Sequence, residues 1–323
     1  MTQAENRPPK RGNSIFITCN SFEARCLGIP LGFSESYGFR HACIFRFEQN
    51  PGEEPQFETD RRHNFDELAG LLERRASEEV IPIFCNRQNV GDGIGQFSTL
   101  FSEHLKTGGC RAISIDITCF TKLYLYELLH FLSEEQQIST VQALYNQVQS
   151  YGNAKLTKGL SEIFFIPHFA GRFLPNRDTV LVVFLGFETE RALGLWEHYE
   201  PFRTVAVLSN PPMRPNYLEF ARDKNSFLLS RPSIIETTMS PYDPLEVSDK
   251  LESVYQKYCT DDGKEIYNVA VISLGTKPQA LGIYLFWRRH KNVRITYAFP
   301  REYGSGYAVR QPGENFAFPL KFS

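Results

Sequence analysis

No stretch of this sequence holds the roughly 20 consecutive apolar residues that a bilayer-crossing helix needs, and the opening MTQAENRPPKRGN lacks the apolar core of a secretory signal. The expected location is therefore the cytoplasm, with no membrane partner. An excess of charge is missing too. The chain carries 35 Lys and Arg against 37 Asp and Glu, which gives no footprint for counterion-release binding to long nucleic acid, although it leaves room for a local basic pocket. Paired cysteines are absent. The seven cysteines (Cys19, Cys26, Cys43, Cys85, Cys110, Cys119 and Cys259) form no C-x-x-C, and their odd number and apolar settings such as ISIDITCF predict buried, reduced thiols. The seven histidines are dispersed, without H-E-x-x-H or a His/Cys cluster at ligand spacing, so no metal is expected. No nucleophile elbow, Ser-His-Asp spacing or paired carboxylates stand out, and neither a catalytic residue nor a cofactor is assigned.

What is present is an alternation of short β-rich runs and longer helical patterns over 323 residues, 42% of them hydrophobic and 14% aromatic. This is the signature of βαβ units on a mostly parallel sheet, and the length suits two such units. In the first half the strand runs are SIFITC, RHACIFRF, VIPIFC, AISIDI and TVQALY; in the second they are TVLVVFLGF, TVAVLSN, SIIETT, YNVAVISL and VRITYAF. Helical spacing falls between them, for example at Leu125, Leu128, Leu129 and Leu132. The expected division is a disordered lead over 1–13, a first Rossmann-like unit over 14–160, a linker over 161–177 and a second unit over 178–323.

The halves match by motif order. FEARCLG (Phe22 to Gly28) faces FETERALG (Phe187 to Gly194), ITCFTK (Ile117 to Lys122) faces ISLGTK (Ile272 to Lys277), and VQALYNQVQSYG (Val141 to Gly152) faces VRITYAFPREYG (Val293 to Gly304). Three ordered matches predict an internal duplication.

Ligands of parallel sheets gather beyond the carboxyl ends of the strands, where helix N-termini favour anions. Ser273 to Lys277 is expected at that edge. Gly275 permits close backbone approach, Thr276 either caps the helix or donates to a ligand oxygen, and Lys277 either meets an anion or projects into solvent. The first-half copy offers Thr118, Thr121 and Lys122, with Phe120 in place of glycine and Asp116 in place of Val271. Arg25 and Arg191 provide planar forks for phosphate, or else pair with Glu23 and Glu188. Tyr297 with Tyr145, and Tyr303 with Tyr151, either stack on a base or pack at strand ends. The glycine-rich NVGDGIGQ (Asn89 to Gln96) reads as a loop, and His168 in FFIPHFAGRF as core packing between the halves.

The segment VAVISLGTKPQALG (Val269 to Gly282) resembles the strand-four turn of CRISPR-associated Rossmann fold (CARF) sensor domains, over roughly Asp178 to Gly304. Two such units in tandem resemble the SAVED domains of bacterial antiphage signalling. The resemblance implies a sensor for a cyclic nucleotide or oligonucleotide, held in a cleft between two CARF-like halves, that regulates a separate effector protein. It carries over to Gly275, Thr276 and Lys277, and more loosely to Thr121 and Lys122. A nucleotide-cleaving enzyme using the same cleft, or a scaffold without a ligand, are the other readings.

Overall fold

Ser14–Cys19 (β1) is buried at all six positions, the pattern of a strand covered on both faces rather than one. The computed structural model describes residues 14–48, 55–87, 89–105, 109–148, 157–303 and 312–322. After β1 the chain alternates through α1 (Gly28–Leu31), β2 (His41–Phe47), α2 (Pro55–Glu73), β3 (Val80–Cys85), α3 (Val90–Leu100), β4 (Ala112–Asp116), α4 (Lys122–Glu134) and β5 (Thr140–Val148). The parallel strands lie in the order β5-β4-β1-β2-β3.

The chain continues with β6 (Thr157–Phe165), β7 (Thr179–Phe184), α5 (Thr189–Tyr199), β8 (Arg203–Ser209), α6 (Tyr217–Lys224), α7 (Ser226–Leu229) and β9 (Ile234–Met239). There follow α8 (Pro244–Tyr258), the short antiparallel pair β10 (Thr260–Asp261) and β11 (Lys264–Glu265), β12 (Asn268–Ser273), α9 (Lys277–Arg289) and β13 (Arg294–Tyr303). The parallel order here is β13-β12-β7-β8-β9. Counted from the first parallel strand of each sheet, both read 5-4-1-2-3, the doubly wound order that reverses between strands one and four. The protein is an α/β molecule of two Rossmann-like units with mostly parallel sheets.

Each sheet has a sixth, antiparallel strand, and the two are exchanged relative to chain order. The last strand, β14 (Pro312–Leu320), pairs with β5, whereas β6, which follows β5 in the chain, pairs with β13. The chain thus divides into Met1–Ala154 with Gly306–Ser323, and Lys155–Ser305. These boundaries replace the expected 14–160 and 178–323. The span 161–177 is not a linker, because β6 fills its start and Phe169 is buried with its ring 4.2 Å from Trp287. His168, expected in the core, is exposed beside it. Both edge strands escaped the periodicity reading for one reason. Pro312, Gly313 and Pro319, like Gly159, are residues that sheets admit at edges and bulges, and both ladders contain a register shift.

The cores are built separately. In the first unit Phe16, Ile44, Leu68 and Leu72 pack together, and in the second Leu181, Val183, Leu195, Ala206 and Ile272 do so. Each of these Phe, Ile, Leu and Val side chains contributes about 1.5–3 kcal/mol by leaving water, and Ala206 less. Asn89 to Gln96, expected as a loop, instead opens α3 from Val90 onward. A Cβ at Gly93 would come within 2.8 Å of Cys85 Sγ and of the Tyr124 ring, so glycine is what lets this helix lie against its strand.

Candidate functional site

In a doubly wound sheet the loops leaving strands one and four flank the point where the winding reverses. In the second unit these are Leu185–Glu188 after β7 and Leu274–Thr276 after β12. They abut, since a Cβ on Gly186 would sit 2.8 Å from the Leu274 carbonyl oxygen. Thr276 is the N-cap of α9. Its Oγ1 accepts from the Gln279 N–H at 3.3 Å, and Gln279 Oε1 accepts from the Thr276 N–H at 2.9 Å, a reciprocal capping box. The same Thr276 hydroxyl donates to the Pro241 carbonyl at 2.8 Å, and Gln279 Nε2 donates to Ser209 Oγ at 3.2 Å. The turn is thereby tied to the end of β8 and to the loop that leaves β9. Gly275 is required by this box, because a Cβ there would collide with Gln279 Oε1.

Of the two readings of Thr276, the geometry favours the cap. Ser273 is buried at the end of β12, so the group of the turn whose chemistry suits an anion is Lys277, half-buried at the first position of α9. Tyr297 lies on the neighbouring strand, just beyond the Ile272–Thr296 pair. Its ring packs 5.8 Å from Phe164 and 5.9 Å from Phe299, so it belongs to the strand-end packing rather than to an open stacking face.

The first unit places its motif at the same edge. Thr121 caps α4, accepting from the Tyr124 N–H at 3.4 Å, and Lys122 is again the half-buried first helical residue. Thr118 is committed elsewhere. Its hydroxyl donates to Asp116 Oδ1 at 2.5 Å and accepts from the Asn146 N–H at 2.9 Å, while Asp116 also accepts from Thr18 at 3.4 Å. Asp116 therefore organises the loop after β4.

Both arginines pair internally, and they do so at equivalent places. Arg25 donates to Glu23 Oε2 through Nε at 3.0 Å and Nη2 at 2.7 Å, and its Nη1 reaches the Asn146 carbonyl at 3.4 Å. Arg191 donates to Glu188 Oε2 at 2.8 Å and to the Ala298 carbonyl at 2.5 Å. Asn146 and Ala298 occupy the same position in the matched V-x-x-x-Y segments. Burial works to lower the Arg25 pKa, yet the Glu23 carboxylate beside it leaves the guanidinium held well above its ordinary value. Burial raises the Tyr145 phenol despite that arginine. Tyr151 and the side chain of Tyr303 lie outside the described residues.

Residue types alone did not single out Asn146 or Gln279. Gln279 was legible as the fourth member of Thr-x-x-Gln, a capping-box spacing. Asn146 had no such signal. Its side chain donates to the Gly313 carbonyl at 3.0 Å and to Asn315 Oδ1 at 2.6 Å and accepts from the Gly313 N–H at 3.1 Å, fastening β14 to β5.

All seven cysteines are free, and all but Cys119 are buried. Burial, with neighbouring sulfurs, raises Cys19 and Cys26 well above the usual thiol range and pushes Cys43 up to about 12. Among the described residues no cluster of three or more His, Cys, Asp or Glu side chains is arranged to hold a metal ion, and no helix is long and apolar enough to cross a membrane.

The fold and these edges define a tandem of Rossmann-like α/β units with cationic helix starts at their winding reversals. No protein-family model matches the chain. No curated protein matches it either. Among solved structures, Can2 from Sulfobacillus thermosulfidooxidans, in complex with cyclic tetra-adenylate, is similar to it at 18% identity with a TM-score of 0.30. The likeness covers 41% of this chain and 36% of the Can2 chain, and at these values it carries no argument about site or activity.

Proposed function

We propose that the chain is a nucleotide-responsive sensor module of a bacterial antiphage defence system, which binds a cyclic nucleotide or oligonucleotide and regulates a separate effector protein. The observation that carries this reading is the matched placement of Thr121-Lys122 and Thr276-Lys277, each at the start of the helix after strand four. A lysine there adds its charge to the positive end of a helix dipole, at the edge where doubly wound sheets receive ligands. The CARF-like sequence of the second turn points the same way and suggests why the ligand would be a nucleotide. The matched motifs and strand orders also support descent of the two units from one duplicated ancestor.

The test is calorimetric titration of the protein with cyclic tetra-adenylate, cyclic dinucleotides and linear oligoadenylates, with product analysis of each mixture. Lys277→Ala should weaken binding about tenfold or more, the loss of a charge-assisted hydrogen bond worth roughly 1.5–3 kcal/mol. Lys122→Ala should act in the same direction. Unchanged affinity in both variants would remove the site, turnover would replace the sensor with an enzyme, and no binding by any nucleotide would leave a scaffold.

A further inference from the structure

A cavity of about 620 Å³ opens in the first unit at the amino ends of β2 and β3, the end of the sheet remote from Lys122. Tyr37, Phe39 and Ala76 contribute to its wall, and Arg74 and Arg75 supply its cations. Arg75 is positioned by main chain alone. Its Nη1 donates to the carbonyls of Ser34 and, at 3.5 Å, Tyr37, and its Nη2 to that of Phe33 at 3.3 Å. Among the described residues, no carboxylate lies within ion-pair distance of Arg75 or of the exposed Arg74. Carbonyl oxygens fix a guanidinium in place without neutralising it, so its fork is preset and its charge uncompensated. One carboxylate, Glu35, lines the same cavity and opposes the two arginines.

We propose that this cavity is a second binding site, for a small organic anion carrying phosphate or carboxylate groups, held by Arg74 and Arg75 and independent of Lys277. The volume falls within the range of small-molecule pockets, roughly 300–1,000 Å³, which suits a metabolite-sized molecule. The apolar wall receives its carbon skeleton, and the adjacent arginines set a preference for more than one negative oxygen.

Titration of the full chain with inorganic pyrophosphate, phenyl phosphate and citrate at low ionic strength tests the proposal. At least one probe should bind saturably at one site per chain. Arg74→Ala should weaken that binding by about tenfold or more without moving the ligand-free melting temperature, since Arg74 is exposed and unpaired. Glu35→Gln should tighten it, and Lys277→Ala should leave it as it was, which separates this site from the strand-four turn. The proposal fails if none of the three probes binds, if Arg74→Ala and Glu35→Gln both leave affinity unchanged, or if Lys277→Ala abolishes the binding. Arg75 is then only a staple for the loop before β2.

Discussion

The hydroxyl of Thr276 closes the capping box and also donates to Pro241, so Thr276→Ala should lower stability by about 1–2 kcal/mol without any ligand present. Lys277→Ala leaves that box intact and should lower stability less, and urea denaturation of the two variants separates architecture from binding. Arg191 and Glu188 are both largely buried, with side chains 10% and 9% exposed. Arg191→Met strands the Glu188 carboxylate and should cost about 3–5 kcal/mol, and adding Glu188→Gln should recover part of that loss. Native-state titration with a thiol reagent should label Cys119 first, and the six buried cysteines only as the protein unfolds, because burial keeps them shielded and the shifted thiols protonated.

At the level of elements, the parallel strands were readable because they are buried on both faces and appear as near-continuous apolar runs, SIFITC and VAVIS among them. The strand-four helices were readable from Thr-Lys and the apolar spacing behind it. The edge strands were not, because pairing with a distant partner decides them rather than any local period, and β14 carries two prolines that argue against a strand everywhere except at an edge. The candidate site was legible in its placement but not in its commitments. Nothing in the sequence fixes whether Arg25 faces a ligand or Glu23, or whether Thr118 serves Asp116; each partner is only two residues away, and the orientation is set by the distant Asn146 backbone, which Arg25 reaches at 3.4 Å and which donates to Thr118 at 2.9 Å. Asn146→Ala tests the edge directly. It should remove the anchor of Gly313 and Asn315, cost about 1–3 kcal/mol, and speed amide exchange in β14 while leaving β6 protected.

For the molecule as a whole, acid stability follows from carboxylates held by cations. Burial raises the Glu252 pKa, but hydrogen bonds from Gln256 and His290 and the charges of His290 and Arg289 outweigh it and leave the carboxyl below its usual range. Glu58 is lowered likewise, against burial, by Arg62 and Arg61. A depressed folded-state pKa contributes stability above the unfolded value, about 4.3, and that contribution is lost as pH falls through the folded value. The urea midpoint should therefore hold at neutral pH and decline below about pH 4, and Glu252→Gln should flatten part of that decline.

The exchanged edge strands also set a timetable. During synthesis β5 emerges long before β14, and the whole of Lys155–Ser305 lies between them. At roughly 5–20 residues per second, the first sheet waits on the order of ten seconds or more with the flank of β5 uncovered. Through that interval the nascent first unit presents an unpaired strand, with the Asn146 side chain lacking Gly313 and Asn315, and β6, newly made beside it, is the nearest strand available to pair there wrongly. Ribosome-bound chains stalled before Pro312 should accordingly show a first unit more sensitive to protease than chains stalled well beyond Leu320.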